Sequence, residues 1–369
     1  MKLLFTCGGT AGHINPAVAL ARMFVERDGA EILFAGADGG METRLVPKEG
    51  FPLKTVTVTN FRRSFAPEDI LHNLKSLVNI PLSSQQAKKI LDQYKPDLVV
   101  GTGGYASYPV VKEAAKRGIP TAVHEANALP GLTTKALSKV CNVVMVGFLE
   151  SKGFYDDPGK VVVTGTPVRG EFFRYTRSEA RAKLGIPLDK PLLLSYWGSL
   201  GAEVMNGYMA DFFREEAAQN GPFFHIHGAG RDYKELTQAL SGTTLPQGVE
   251  VREYIYDMPL TMAACDLVLC RAGASTLSEV EAIAKPSVIV PSPNVAEDHQ
   301  TKNARVLSGI GGAVLLPEKE CDGKKLFQIA AELLGDPARR EEMSRKLSQR
   351  SIPDANEKIY QVLKGLLPG

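Results

Sequence analysis

Three glycine-rich stretches of the 369-residue chain are suited to holding a diphosphate: Gly8-Gly9-Thr10-Ala11-Gly12-His13, Gly101-Thr102-Gly103-Gly104-Tyr105 and Gly198-Ser199-Leu200-Gly201. Each follows a short apolar run and precedes a helical stretch. Glycine lets the backbone approach an anion closely, and a helix N-terminus adds free N–H groups and a favourable dipole. A fourth segment, Cys270 to Glu279, follows an apolar run and opens a helix. Thr276 and the amides around it suit a phosphate, and Glu279, one turn on, suits the two hydroxyls of a ribose. The alternative is a capped helix, with Ser275 and Ser278 tying down N–H groups. Further along, Glu297-Asp298-His299-Gln300 ends in a neutral amide that fits the hydroxyls of a sugar.

Other chemistries are poorly served. Gly-x-Gly-x-x-Gly is absent, although Asp38 stands where a dinucleotide fold places its ribose-binding acid. Gly-x-x-x-x-Gly-Lys-Ser/Thr is absent too, which argues against ATP hydrolysis. Gly198-Ser199-Leu200-Gly201 is a poor hydrolase elbow, because Trp197 occupies the position of that turn's preceding glycine. Asp-x-Asp does not occur, so no bivalent metal clamp is expected. His225 and His227 share one face of a strand with no third ligand in view, and a structural role is expected for them. The five cysteines are odd in number and form no Cys-x-x-Cys pair, which indicates neither a disulfide framework nor a zinc ribbon.

The elements that position these residues read as repeated β-loop-α. Strands are expected at 2–5, 31–35, 97–101, 121–124, 143–146 and 161–164. The series restarts with 192–195, 223–227, 249–253, 266–270 and 287–290. A helix is expected over 16–26, with Pro16 in its first turn. Strands alternating with helices imply parallel sheets covered on both faces. The restart carries a faint repeat at an offset of 189, in which Gly9, Thr10 and Gly12 match Gly198, Ser199 and Gly201. The expected fold class is therefore α/β: two Rossmann-like, doubly wound parallel-sheet domains facing across a cleft. The expected boundaries are 1–168 and 169–344, with a C-terminal helix over about 345–369 packing back on the first domain.

Composition is that of a globular protein: 44% hydrophobic, 23% charged, formal charge +2. Such a charge is far from that of a nucleic-acid binder. No apolar stretch is long enough to span a membrane, and Gly8-Gly9 ends the first run too early for a signal peptide. The expected location is cytoplasmic, with any membrane contact peripheral. Asn60–Lys95 is the candidate patch. Phe61, Phe65, Ile70, Leu71, Leu74, Leu77, Val78, Ile80 and Leu82 are interleaved there with Arg62, Arg63, Lys75, Lys88 and Lys89. An apolar face rimmed by cations suits an anionic bilayer surface; an ordinary core helix is the alternative.

Taken together, these segments resemble one family over nearly the whole chain. The stretches at 8–17, 101–105 and 124–127 (His-Glu-Ala-Asn) are similar to its first-domain signatures. Those at 164–169 (Thr-Gly-Thr-Pro-Val-Arg), 198–202 and 270–274 are similar to those of its second. The family is that of the MurG-type undecaprenyldiphospho-muramoylpentapeptide β-N-acetylglucosaminyltransferases, of GT-B type. The resemblance implies an inverting transfer of N-acetylglucosamine from UDP-N-acetylglucosamine to the C4 hydroxyl of the muramoyl sugar of a lipid-linked acceptor. That step belongs to peptidoglycan synthesis at the cytoplasmic face of the cell membrane.

By the same resemblance, Ile255 meets the uracil through its backbone. Ala274, Ser275, Thr276, Leu277, Ser278 and Glu279 wrap ribose, phosphate and sugar. Ser199 and Arg169 hold the diphosphate, Asn127 and Gln300 the sugar, and Thr10, Ala11 and Gly12 close over the donor. Gly103, Gly104 and Tyr105 face the acceptor diphosphate. No tightly bound cofactor is implied, and Mg²⁺ stimulation through the substrates stays open. Two departures from the family pattern stand out: Trp197 for a glycine and Thr166 for an asparagine.

Such a displacement needs a base for the acceptor hydroxyl and stabilisation of charge growing on the diphosphate. His13 is the favoured base, since an unperturbed imidazole is partly neutral near pH 7; Glu125 is the competitor. The rival readings are another nucleotide-sugar enzyme on this fold, such as a glycolipid glycosyltransferase or a UDP-N-acetylglucosamine 2-epimerase, and a non-catalytic nucleotide-binding module.

Overall fold

The computed structural model describes residues 1–58, 67–198 and 202–367, without the side chains of 67–80 and Ala296. The chain forms two compact units, Met1–Val168 with Ile352–Gly369, and Arg169–Ser351. The first unit is built on β1 (Lys2–Thr6), β2 (Glu31–Ala37), β3 (Leu53–Val56), β4 (Leu98–Gly101), β5 (Thr121–Glu125), β6 (Val143–Val146) and β7 (Val161–Val163). They pair in parallel in the order β3-β2-β1-β4-β5-β6-β7. The second is built on β8 (Leu192–Tyr196), β9 (Phe224–Gly228), β10 (Val249–Arg252), β11 (Leu267–Cys270), β12 (Ser287–Ile289) and β13 (Ala313–Leu315), ordered β10-β9-β8-β11-β12-β13 and again all parallel.

Both sheets are covered on both faces, which is why their central strands are unbroken apolar runs rather than alternating ones. On β1, Leu3 and Phe5 pack with Ile14, Ala17 and Phe24, whereas Leu4 points the other way into a cluster with Ile90, Val110 and Val111. In the second unit Leu193, Leu267 and Leu269 meet Met205, Phe212 and Phe327. In each sheet the strand order reverses once, between β1 and β4 and between β8 and β11. These are the switch points where open α/β sheets bind ligands beyond the carboxyl ends of their strands. All four candidate phosphate segments begin there.

The structure departs from the sequence reading at the edges. β3 and β13 are strands the apolar runs did not reveal. Lys54 and Thr55 of β3 are exposed, as an edge strand permits, and β13 has three residues. The first helix runs Ala11–Asp28, so Pro16 lies in its second turn and has no N–H to give to the Gly12 carbonyl. The early start makes Thr10 the N-cap and places His13 in the first turn. The last stretch is two helices, Pro337–Arg350 and Ala355–Lys364, broken around Pro353. The first donates from Ser344 to the Ala284 carbonyl in the second unit. The second packs Ile359 and Leu363 into the core of the first unit, with Tyr360 4.9 Å from the Phe24 ring. Among the described residues no helix is long and apolar enough to cross a membrane.

Candidate active site

The first unit brings its two glycine loops into direct contact. His13 Nδ1 lies 2.8 Å from the Gly8 carbonyl oxygen and 3.4 Å from Thr10 Oγ1. A carbonyl only accepts, so Nδ1 carries the proton and Nε2 of the neutral ring holds the lone pair. The ring rests on Gly103: a Cβ there would come within 2.6 Å of His13 Cδ2 and 2.8 Å of Nε2, and Gly103 has φ +112° besides. Gly104 is excluded from having a side chain for a similar reason, since a Cβ would sit 2.3 Å from the Gly8 carbonyl oxygen. Thr102 Oγ1 donates to the His13 carbonyl at 2.7 Å, and Ser107 Oγ lies 3.0 and 2.8 Å from the Thr6 and Gly103 carbonyls. Tyr105, at the tip, is exposed.

Beneath the first loop lies a residue the sequence did not single out. The fully buried carboxylate of Glu42 accepts from Gly9 N at 3.1 Å and from Ala37 N at 2.7 Å. It fills the space that side chains on Gly8, Gly36 and Gly40 would need, as a Cβ at any of the three would meet it at 2.5 Å or closer. In the sequence Glu42 reads as an ordinary acid in the first turn of a helix. The only signal for more was the spacing of glycines around it, and that spacing acquires meaning only when β2 lies beside β1. Asp38 accepts from Thr57 Oγ1 at 2.7 Å and is thereby engaged in joining β2 to the chain beyond β3.

Glu125 ends β5 and is almost fully buried. Oε1 accepts from Asn127 N at 3.0 Å and Asn127 Nδ2 at 2.9 Å, and Oε2 accepts from Gly131 N at 2.9 Å. These three bonds tie the carboxylate to the loop that follows β5. Glu125 thereby orients Asn127. Its neighbour His124 donates from Nε2 to the Gly165 carbonyl at 2.9 Å, and burial pushes its pKa down. Thr166, the second departure, turns an Oγ1 with no hydrogen-bond partner among the described residues onto Gly147.

In the second unit the helix Ala274–Ala282 starts from Gly273 in extended conformation with no side-chain cap. Ser278 Oγ donates to the Ala274 carbonyl at 2.8 Å, so it does not cap the helix, and Ser275 Oγ is buried without a partner among the described residues. The first-turn amides therefore have no capping side chain among the described residues. Leu277 is fully buried and serves the core. Glu279 is partly buried; desolvation pushes its carboxyl up to about 7, opposed by the Arg169 guanidinium. Gln300 Oε1 accepts from Ala272 N at 3.2 Å and Ser292 N at 2.9 Å, which ties the turns after β11 and β12 and leaves its Nε2 as the group it can offer a sugar. Arg271, another residue not singled out, adds to the same tie by donating to the Val290 and Pro291 carbonyls at 3.2 Å each.

Ile255 follows β10 with its side chain buried against Gly228. Trp197 is 3% exposed and belongs to the core cluster with Met205 and Met209, so its ring goes into the core and not into the loop it precedes. Ser199 and the rest of 199–201 lie outside the described residues, as do Phe61, Arg62, Arg63 and Phe65.

The arrangement is that of two switch points, one carrying an imidazole whose Nε2 has no partner among the described residues, the other a helix without a side-chain cap among them, near an acid and an arginine. Residues 3–146 match the glycosyltransferase family 28 N-terminal domain and residues 196–359 the family 28 C-terminal domain. The chain is 40% identical over 368 residues, covering 100% of this chain and 98% of the relative, to the UDP-N-acetylglucosamine–N-acetylmuramyl-(pentapeptide) pyrophosphoryl-undecaprenol N-acetylglucosamine transferase of Acetivibrio thermocellus. It is 41% identical to the protein of the same name from a Thermoanaerobacter species, over 99% of this chain and 100% of that one. Among solved structures it is similar to MurG of Acinetobacter baumannii, with a TM-score of 0.77 and 27% identity over 99% of both chains. With both domains matched in order and relatives of full length at this identity, the chain belongs to glycosyltransferase family 28, among the pyrophosphoryl-undecaprenol N-acetylglucosamine transferases.

Proposed function

We propose that the protein transfers N-acetylglucosamine from UDP-N-acetylglucosamine to the C4 hydroxyl of the muramoyl sugar of undecaprenyl-diphospho-muramoylpentapeptide, with inversion at the anomeric carbon. The observation that carries the mechanism is the 2.8 Å contact of His13 Nδ1 with the Gly8 carbonyl, which leaves Nε2 as the acceptor of the hydroxyl proton. As the hydroxyl oxygen bonds to the anomeric carbon, the bond to UDP breaks and negative charge passes to the diphosphate. The uncapped amides at 274–276 and the Arg169 guanidinium are the groups that answer that charge. Glu279 is suited to the ribose hydroxyls, and Asn127, oriented by Glu125, to the donor sugar together with Gln300. Gly103, Gly104 and Tyr105 are assigned to the acceptor diphosphate.

The decisive assay uses labelled UDP-N-acetylglucosamine with and without the lipid-linked muramoylpentapeptide. Label appearing in a β-linked disaccharide lipid only with acceptor present is the expected result. Accumulation of the epimeric nucleotide sugar without acceptor would replace the transferase by an isomerase.

A lipid-linked acceptor calls for a membrane surface, and we assign contact with the cytoplasmic face of the membrane to the segment 60–95. The supporting features are its basic and apolar composition and, on helix Pro67–Tyr94, the exposed Leu82, Lys88 and Lys89. Reversing the charges of Arg62, Arg63 and Lys75 is expected to weaken binding to anionic vesicles by about 1 kcal/mol per residue. Unchanged vesicle sedimentation would remove the patch.

A further inference from the structure

The second unit carries, on β8, β9 and the helix Glu203–Ala218, a run of buried polar side chains that the transfer reaction leaves unused. Ser195, Glu216, His225 and His227 are fully buried and Asn206 is 4% exposed. Phe212, Phe213 and Phe223 pack around the His225 ring. Ser195 Oγ lies 2.7 Å from both His225 Nε2 and His227 Nδ1; His225 Nδ1 lies 2.9 Å from Glu216 Oε2, and His227 Nε2 3.1 Å from Asn206 Oδ1. Asn206 Nδ2 donates to the Ala229 carbonyl at 2.8 Å and to Asp232 Oδ2 at 3.0 Å.

The direction of every bond in this run follows from its last member. The Ala229 carbonyl can only accept, so Asn206 presents Nδ2 to it and Oδ1 to His227. Burial lowers the His227 pKa and favours the neutral ring, so His227 donates from Nε2 and accepts at Nδ1. Ser195 donates to His227 and accepts from His225 Nε2–H. At the far end His225 Nδ1 meets Glu216 Oε2, and Glu216 Oε1 is buried without a partner among the described residues. The run is thus a polarised chain whose bond directions are set from its Asn206 end.

Its end is anchored to the segment that leads into Ile255. The Ala229 and Gly230 amides donate to the Arg252 and Glu253 carbonyls, each at 2.9 Å, and the Ile255 side chain packs on Gly228. We infer that the chain Glu216–His225–Ser195–His227–Asn206 positions the nucleobase-reading turn at 252–255 and so sets the preference for uracil, an inference that rests on reading the Ile255 backbone as the base contact. These five are positioning residues: among the described contacts they reach the base only through the 229–230 backbone. Apolar side chains would fill a sheet core without this polar burial, so the chain is best explained by the orientation it imposes.

The test is titration of the full-length protein with UDP and with CDP, together with steady-state kinetics, for wild type, Asn206→Ala and Ser195→Ala. In the variants the preference for UDP over CDP should fall about tenfold and the donor KM rise by a similar factor, the loss of roughly one hydrogen bond. The kcat at saturating donor and the acceptor KM should stay within about twofold of wild type. If Asn206→Ala does not fold, Ser195→Ala, which removes a single oxygen, decides. A folded variant that keeps the wild-type preference overturns the inference, as does a parallel loss of kcat and both KM values with the preference intact. A wild-type protein with no preference for UDP would instead sink the Ile255 reading, and the inference with it.

Discussion

In the first unit the turn from β1 into its helix is held from all sides: Glu42 grips the Gly9 amide, Thr102 the His13 carbonyl, and Gly103 supplies the flat surface under the imidazole. In the second unit the turn from β11 into helix Ala274–Ala282 is left open: among the described residues it has no capping side chain and the Ser275 hydroxyl has no partner, and burial pushes the Glu279 carboxyl up to about 7. The contrast is the one that the two proposed tasks call for. A base must present one lone pair along one direction, so its support is spent on fixing the backbone around it. A diphosphate and a ribose bring their own acceptors and hydroxyls, so the groups that receive them must be unsatisfied until they arrive.

The contrast breaks most sharply at the imidazole. His13→Ala should lower kcat by about 10²–10⁴ and leave the donor KM within a few-fold, as expected for loss of a general base; unchanged turnover in a single-turnover assay would remove His13 from the role. Gly103→Ala comes next. Its Cβ would press into the His13 ring at a φ that L-residues rarely adopt, and a displaced base should cost about 10²-fold in kcat with donor affinity intact, measured on the same assay. Glu42→Gln keeps the shape but turns one N–H donor onto another. About 1–3 kcal/mol of stability should be lost in chemical denaturation, and kcat should fall about tenfold while UDP affinity is retained. If UDP binding fell instead, the division of labour between the two turns would be wrong.

The smallest effect lies in the second unit. The Glu279 carboxyl rises from 4.5 to about 7 on folding, so between those values the native state holds more protons than the unfolded chain. Stability of the unliganded protein therefore falls as pH rises through this window and is level above it. Glu279→Gln should remove that slope in thermal unfolding measured at pH 5, 6, 7 and 8. A slope that survives the substitution would place its origin elsewhere.

Much of the fold was legible because it rests on local physics. The central strands announced themselves as unbroken apolar runs, and the turns after β1, β4, β8 and β11 as glycines before helices. The edge strands β3 and β13 stayed hidden because half-exposed edges need no apolar run. The helix at Ala11 began a turn before its proline because the tertiary packing of Ile14 and Ala17 outweighs one missing hydrogen bond. At the site, His13 and the segment Ala274–Glu279 could be proposed from residue type and spacing, but the partners that individual side chains find could not. Glu125 became an anchor for Asn127 and Gly131, Gln300 a tie between two turns, and Ser278 a bond to its own helix, each because the nearest unsatisfied group lay within reach in space.

The sequence by itself determined the β-loop-α repeat, the two families of glycine turns and the kinds of group they carry, since these depend on backbone freedom and the period of apolar residues. Only the tertiary structure decided which partners those groups find. It placed a buried carboxylate under Gly8, Gly36 and Gly40, turned Trp197 into the core, and aligned two histidines, a serine, an asparagine and a glutamate into one polarised chain. The reason is that a hydrogen bond's worth depends on burial and geometry, and both are set by strands that are neighbours in the sheet but far apart in the chain.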